Sequence, residues 1–204
     1  MTRSARPLLA AVFLAGALAL GGCAAQVGPV EVTRFIAPDA PALGSGVIRV
    51  DAGPGQDASS LEFRAYATAV EQELARIGFR QALPGEAASD PQVAVLTVER
   101  RVIQPGSSGS PVSVAGLGST GTYGSGVGIG VGINLSGRPS DQVETRMQVM
   151  IRDRPGGRTL WEGRAAFTVS SKSPMAQTSL GAAKMAEALF KGFPGKSGET
   201  ILVQ

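Results

Sequence analysis

The chain carries few side chains suited to covalent chemistry. It has 204 residues, no His and a single Cys, Cys23. Without an imidazole there is no Ser-His-Asp triad, no His proton shuttle and no His-ligated metal. One thiol excludes disulfides within the chain, Cys-x-x-Cys redox pairs and zinc sites built from four cysteines. Carboxylates are present but not grouped for acid-base work. Asp51 and Asp57 flank a turn, and Glu71 and Glu73 point to different sides of a predicted helix. No Asp-x-Asp-x-Asp spacing suggests calcium. Two glycine patterns imitate nucleotide sites. Gly116-Leu117-Gly118-Ser119-Thr120-Gly121 fits G-x-G-x-x-G, and Asp141 follows about 20 positions on, but more glycine follows it where a phosphate-binding helix should begin. Gly195-Lys196-Ser197 is similar to the end of a P-loop, yet Phe190 stands where the first glycine belongs and the segment follows a helix. No catalytic residue, cofactor or metal ligand is assigned, and no enzymatic role is expected.

The one thiol has a different chemistry open to it. Arg3 and Arg6 precede an uncharged Leu/Ala-rich stretch, Leu8 to Leu20, which ends in Leu20-Gly21-Gly22-Cys23-Ala24. A basic start, a short apolar run and small residues form an export signal. The last residues resemble the lipobox of bacterial lipoproteins. That resemblance implies a diacylglyceryl thioether on Cys23 and a further acyl chain such as palmitate on its freed amine, enough for stable attachment. If Gly and Cys are counted as apolar, residues 8–25 also reach the lower limit of a membrane-crossing helix. Gly16, Gly21 and Gly22 weaken such a helix, and the Cys falls where a lipobox needs it. The expected organisation is a signal peptide over 1–22, a lipidated tether over 23–29 and one domain over 30–204. Cleavage takes two of the 19 basic residues and none of the 16 acidic ones, lowering the net charge from +3 to about +1. With no basic stripe and 5% aromatics, no nucleic-acid partner is expected.

Periodicity then places the elements. Val30–Ile36 and Gly46–Asp51 read as strands closed by Pro38 and Gly53-Pro54-Gly55. A helix over 61–77 begins at Ser59 or Ser60, buries Leu61, Tyr66, Val70, Leu74 and Ile77, and stops at Gly78. Val93–Val98 is apolar on both faces and reads as a central strand running on to Ile103. Alternation over 143–152 and 161–169, joined by the turn 153–158, reads as a hairpin with one buried face. Ser173-Pro174 starts a second helix, 174–190, which ends at Gly192, and Thr200–Val203 supplies a last strand. The expected fold is α+β: about five strands, mostly antiparallel, with two neighbouring helices on one face. Leu96, Met147, Val149, Trp161 and Phe167 would face those helices.

Several of these segments come in a familiar order. They are the lipobox, a helix ending in Glu-Leu-Ala-Arg-Ile-Gly-Phe (73–79), the strand opening Pro91-Gln92-Val93, a Gly-rich insert, Leu160-Trp161-Glu162-Gly163, and a helix running into Phe193-Pro194. Over residues 30–204 the chain resembles the DUF4136 family of bacterial envelope lipoproteins. The resemblance implies a structural role for Gly78-Phe79 and a core anchor at Trp161, and it carries over no catalytic residue.

Residues 102–137 hold no charge and 11 of the 28 Gly. Within the insert, 104–137, the run Gly126 to Ile133 alternates glycine with Val127, Ile129, Val131 and Ile133. In a strand these four side chains share one face. They are candidate contacts for an envelope partner or the membrane surface; the segment also reads as a hairpin between two core strands. The leading expectation is a lipid-anchored envelope protein with a binding or scaffolding role. The alternative is an accessory lipoprotein of a lipid or lipopolysaccharide transport machine. In the lipoproteins this signal resembles, Asp after the Cys favours retention in the inner membrane; Ala24 stands there instead, so the resemblance implies the outer membrane, with the domain facing the periplasm. No small-molecule ligand is identified. Cys23→Ser should leave an unlipidated precursor; metabolic labelling with a fatty acid that still marked this variant would contradict the assignment.

Overall fold

Helix α1, Leu61–Arg76, begins where Ser60 Oγ accepts the Phe63 N–H at 3.0 Å. It stops at Gly78, whose φ of 111° suits only glycine. There Phe79 N donates to Leu74 O and Gly78 N to Ala75 O, a Schellman closure that turns Phe79 into the core. These contacts come from a computed structural model. It describes residues 27–41, 43–82, 92–104 and 140–204, together with the backbone of two strands at 112–118 and 127–133. Cys23 lies outside the described residues.

Seven strands form one mixed sheet. In chain order they are β1 (Val30–Ile36), β2 (Val47–Ala52), β3 (Arg80–Gln81), β4 (Gln92–Ile103), β7 (Gln142–Arg152), β8 (Thr159–Ser170) and β9 (Thr200–Val203). Among the described residues, strands β5 (Val112–Gly118) and β6 (Val127–Ile133) pair only with each other. The sheet order is β3-β2-β4-β7-β8-β1-β9. Strand β2 runs parallel to β3 and β4, and the remaining pairs are antiparallel. The sheet has seven strands where about five were expected, and its mostly antiparallel character holds for the four pairs other than β2–β3 and β2–β4. Strand β3 has two residues and no period to read; α1 returns the chain to the end where β2 began, so β3 runs parallel to β2, and β4 starts at that end as well.

Alternate residues of the sheet face the helices. Leu96, Met147, Val149, Trp161 and Phe167 are all buried there, as the alternation implied. Helix α1 buries Phe63, Tyr66, Val70 and Leu74, but Leu61 is 78% exposed. At 100° per residue Leu61 lies about 140° from Tyr66, whereas Phe63 lies one turn before it. The second helix is also shorter than 174–190. Ser173 caps a short 3-10 turn, Pro174–Ala176, and α2 proper runs Thr178–Phe190. Its Ala182, Met185, Ala186 and Leu189 are buried, and it packs beside α1.

Two buried side chains lock α2 to the sheet. Trp161 is fully buried, stacks on Phe190 at 5.5 Å and donates its indole N–H to Pro194 O at 3.0 Å. Gly163, next along the same face, leaves room for that ring; a methyl group there would come within 2.9 Å of the indole. Arg34 of β1 is 5% exposed and donates to the carbonyls of Leu189 at 3.0 Å, Ala188 at 3.1 Å and Lys191 at 2.8 Å. A helix end leaves such carbonyls without partners, and a cation there also opposes the negative end of the helix dipole.

Trp161→Ala should cost roughly 3–5 kcal/mol in denaturant melts through the cavity it leaves. Replacing 106–136 by a short Gly-Ser linker should leave the same melt nearly unchanged, because neither β5 nor β6 is bonded to the seven-stranded sheet. An unchanged melt for the first variant or an unfolded second one would contradict this division.

Candidate functional site

One end of the sheet gathers most of the features without a core role. The ladders run Ile103↔Gln142 between β4 and β7, and Gln142↔Ser170 between β7 and β8. Strand β1 begins beside the same end, with Gly28 against the Thr168 carbonyl. Four chain segments therefore meet at this pole: the N-terminal approach at Val27–Pro29, the departure of β4 toward β5, the return from β6 into β7, and the turn after β8. Cys23 precedes Val27 by four residues, so at full extension it reaches no farther than about 14 Å from it.

Both helices also start at this pole. Arg100 of β4 ties their beginnings together, bonding Glu62 of α1 at 3.3 Å, Thr178 Oγ1 at the start of α2 at 3.4 Å, and the Ala176 carbonyl. The positive ends of both helix dipoles accordingly point the same way. Among the described residues, six large apolar side chains are exposed, and four of them, Leu61, Val102, Ile103 and Leu180, lie at this end. Leu61 and Leu180 sit in the first turns of the two helices, and Val102 and Ile103 close β4.

The uncharged insert leaves from the same place. Its alternating run is extended, as expected, and pairs with β5 over seven positions. Val127, Ile129, Val131 and Ile133 stand opposite Gly118, Gly116, Val114 and Val112. Those eight positions share one face of the ribbon; Gly128, Gly130 and Gly132 share the other with Leu117, Ala115 and Ser113. Of the candidate site residues, these four are thus on one strand and one face, and Cys23 is outside the described residues.

A second feature is the sheet face turned away from the helices. A groove of about 300 Å³ crosses it over Ala166, bordered by Glu31, Thr33, Thr97, Glu99, Arg146, Gln148 and Arg164. The charges there are largely spent on neighbours. Arg164 bonds Glu162 at 2.6 Å, and Glu144 lies between Arg101 at 2.5 Å and Arg146 at 2.8 Å. The Arg101 hydrogen bond, and to a lesser extent Arg146, hold the Glu144 carboxyl below its usual range. On the helical side, burial pushes Glu73 up while Arg76, 2.7 Å away, opposes it. Glu73, Glu144 and Glu162 are each paired with arginine and form no carboxylate dyad with one another. Among the described residues no group of three His, Cys, Asp or Glu side chains is placed to hold a metal.

Sequence reasoning missed the pole because it is a property of strand direction. It also missed Arg34, whose position in an alternating strand carries no mark of burial. The one available signal was its place in phase with Val30 and Val32, which are both buried.

No curated protein matches the chain. Solved structures resemble it weakly. A single-site variant of PelC from Paraburkholderia phytofirmans, a dodecamer, is 14% identical with a TM-score of 0.40, covering 81% of this chain and 98% of that one. The PelC dodecamer in a second crystal form, also 14% identical, gives 0.38 over 78% and 96%. A PDZ domain protein from Parabacteroides distasonis is 11% identical with a TM-score of 0.43, covering 95% of this chain and 42% of that one. Likenesses of this size carry no functional argument. Residues 44–195 match the family described as a domain of unknown function (DUF4136), and the chain belongs to that family.

Proposed function

We propose that this protein is a lipid-anchored component of the bacterial cell envelope, held in the outer membrane through acylated Cys23 and facing the periplasm, with a binding or scaffolding role and no enzymatic one. The observation that carries this reading is the shared pole. The approach from Cys23, the exposed Leu61, Val102, Ile103 and Leu180, and the departure of the uncharged insert all fall at one end of the sheet. An acyl chain on Cys23 would hold that end near a bilayer, and the opposite end would point into the periplasm.

In this orientation the open sheet face stands upright beside the membrane, free to meet another envelope protein. Its groove sets a charged and polar rim around an apolar floor of Met147, Ala165 and Ala166, the mixed character of a protein-binding surface. The alternative, an accessory lipoprotein of a lipid or lipopolysaccharide transport machine, would be favoured by an apolar pocket of acyl-chain size. The absence of His, and the use of the single Cys for attachment, support the non-enzymatic reading.

A photo-crosslinking residue placed at Gln148 or Arg164 should join the protein to a discrete envelope partner in intact cells, and the protein should sediment with outer membranes. Recovery in the soluble periplasm, or no adduct from any position on the open face, would contradict the proposal.

A further inference from the structure

We propose that the β5–β6 ribbon enters the lipid bilayer, with Val112, Val114, Val127, Ile129, Val131 and Ile133 against the acyl chains and its free edges paired with those of ribbons from further copies of this chain. The inference rests on the lipid-anchored reading and goes beyond it.

Charge is the first argument. The chain is 17% charged, so a stretch of 36 residues at that average would hold about six charges; residues 102–137 hold none. A solvated loop has no need to exclude Lys, Glu, Asp and Arg so completely, whereas a segment in hydrocarbon does.

Register is the second. The seven pairs of the ribbon put all four β-branched residues of β6 on one face with Val112 and Val114. The other face holds Gly128, Gly130 and Gly132 against Ser113, Ala115 and Leu117. One apolar face and one face dominated by small residues is the dyad pattern of strands with lipid on one side and water or a second surface on the other. The ribbon is also separate from the seven-stranded sheet, so its insertion breaks no ladder of the core.

Position is the third. The ribbon hangs from Ile103 and Gln142, at the pole the N-terminal segment approaches, and Cys23 precedes Val27 there by four residues. Each strand of seven residues is about 24 Å long at 3.4 Å per residue, short of the roughly 30 Å hydrocarbon core, so the ribbon reaches into the bilayer without crossing it.

Association follows from the backbone. A two-stranded ribbon leaves the outward N–H and C=O groups of both strands without partners, and an open edge does not persist in hydrocarbon. Neighbouring copies supply the missing ladders, so insertion and assembly are one event.

The test uses the full lipidated chain in vesicles of phosphatidylethanolamine and phosphatidylglycerol. Single cysteines are introduced at 127, 129, 131 and 133, and separately at 128, 130 and 132, and labelled with an environment-sensitive fluorophore. Acylated Cys23 has no free thiol and stays unlabelled. Emission of the buried Trp161, the only Trp, reports that each variant keeps its core. Labels at the first four positions should shift to the blue and be quenched several-fold by nitroxide-bearing lipids, labels at the three glycine positions should not, and crosslinking should capture multimers of the chain. Uniform aqueous emission, or protection without lipid quenching as a protein partner would give, overturns the insertion. Lipid quenching in a strictly monomeric protein overturns the edge pairing. The mass of the N-terminal peptide separates this from the anchor: acylated Cys23 with an aqueous ribbon sinks the insertion alone, and a lipid-quenched ribbon with unmodified Cys23 sinks the anchor alone.

Discussion

The antiparallel ladder β4-β7-β8-β1 decides what this molecule can present, and where. Each pairing reverses the chain, so β4 and β8 end where β7 and β1 begin. The N-terminal approach, the exit toward the ribbon and the return from it are therefore forced onto one end of the sheet. With β4 and β7 directly paired, the whole ribbon is an excursion from a junction between neighbours. A parallel β4–β7 pair would have put exit and return at opposite ends. The functional reading depends on this geometry more than on any single side chain.

The helical layer sets the second constraint, because among the described residues both helices cover the same face of the sheet. Trp161 and Arg34 hold the end of α2 against β8 and β1, one by stacking and one by completing the helix carbonyls. Gly195 stands close to the Arg34 guanidinium with φ of 80°, so the chain leaves α2 through a turn shaped around that side chain. At the other end Arg100 links both helix starts to β4. With the helices fixed at both ends, the opposite face keeps its rows of paired Arg and Glu open to solvent.

Much of this was legible where a local pattern had a local cause. The strands at 143–152 and 161–169 announced themselves by alternation, and their turn is closed by Asp153 accepting the Arg158 N–H. Ser60 and Gly78 marked both ends of α1 because a cap is a matter of a few neighbouring backbone groups. What escaped depended on distant partners. Strand β3 exists only because β2 lies beside Arg80–Gln81. Leu61 was assigned to the core since hydrophobicity says nothing of the angle set by Phe63 and Tyr66. The break at Gln177 interrupts a stretch that reads as one helix from 174. Of the candidate site, the four residues of β6 were readable as one face, but the pole that carries the ribbon appears only when strand directions are known.

The central claim is that this pole faces the membrane. Energy transfer to acceptor-bearing lipids, from a label at Lys172 after β8 and from one at Arg154 in the β7–β8 turn, measures it directly on the lipidated protein. The two positions are exposed and lie at opposite ends of β7, which spans 11 residues or about 37 Å. The account predicts that Lys172 lies near the bilayer surface and Arg154 farther out by a large part of that length. Equal distances, or an Arg154 label closer to the lipid, would contradict it.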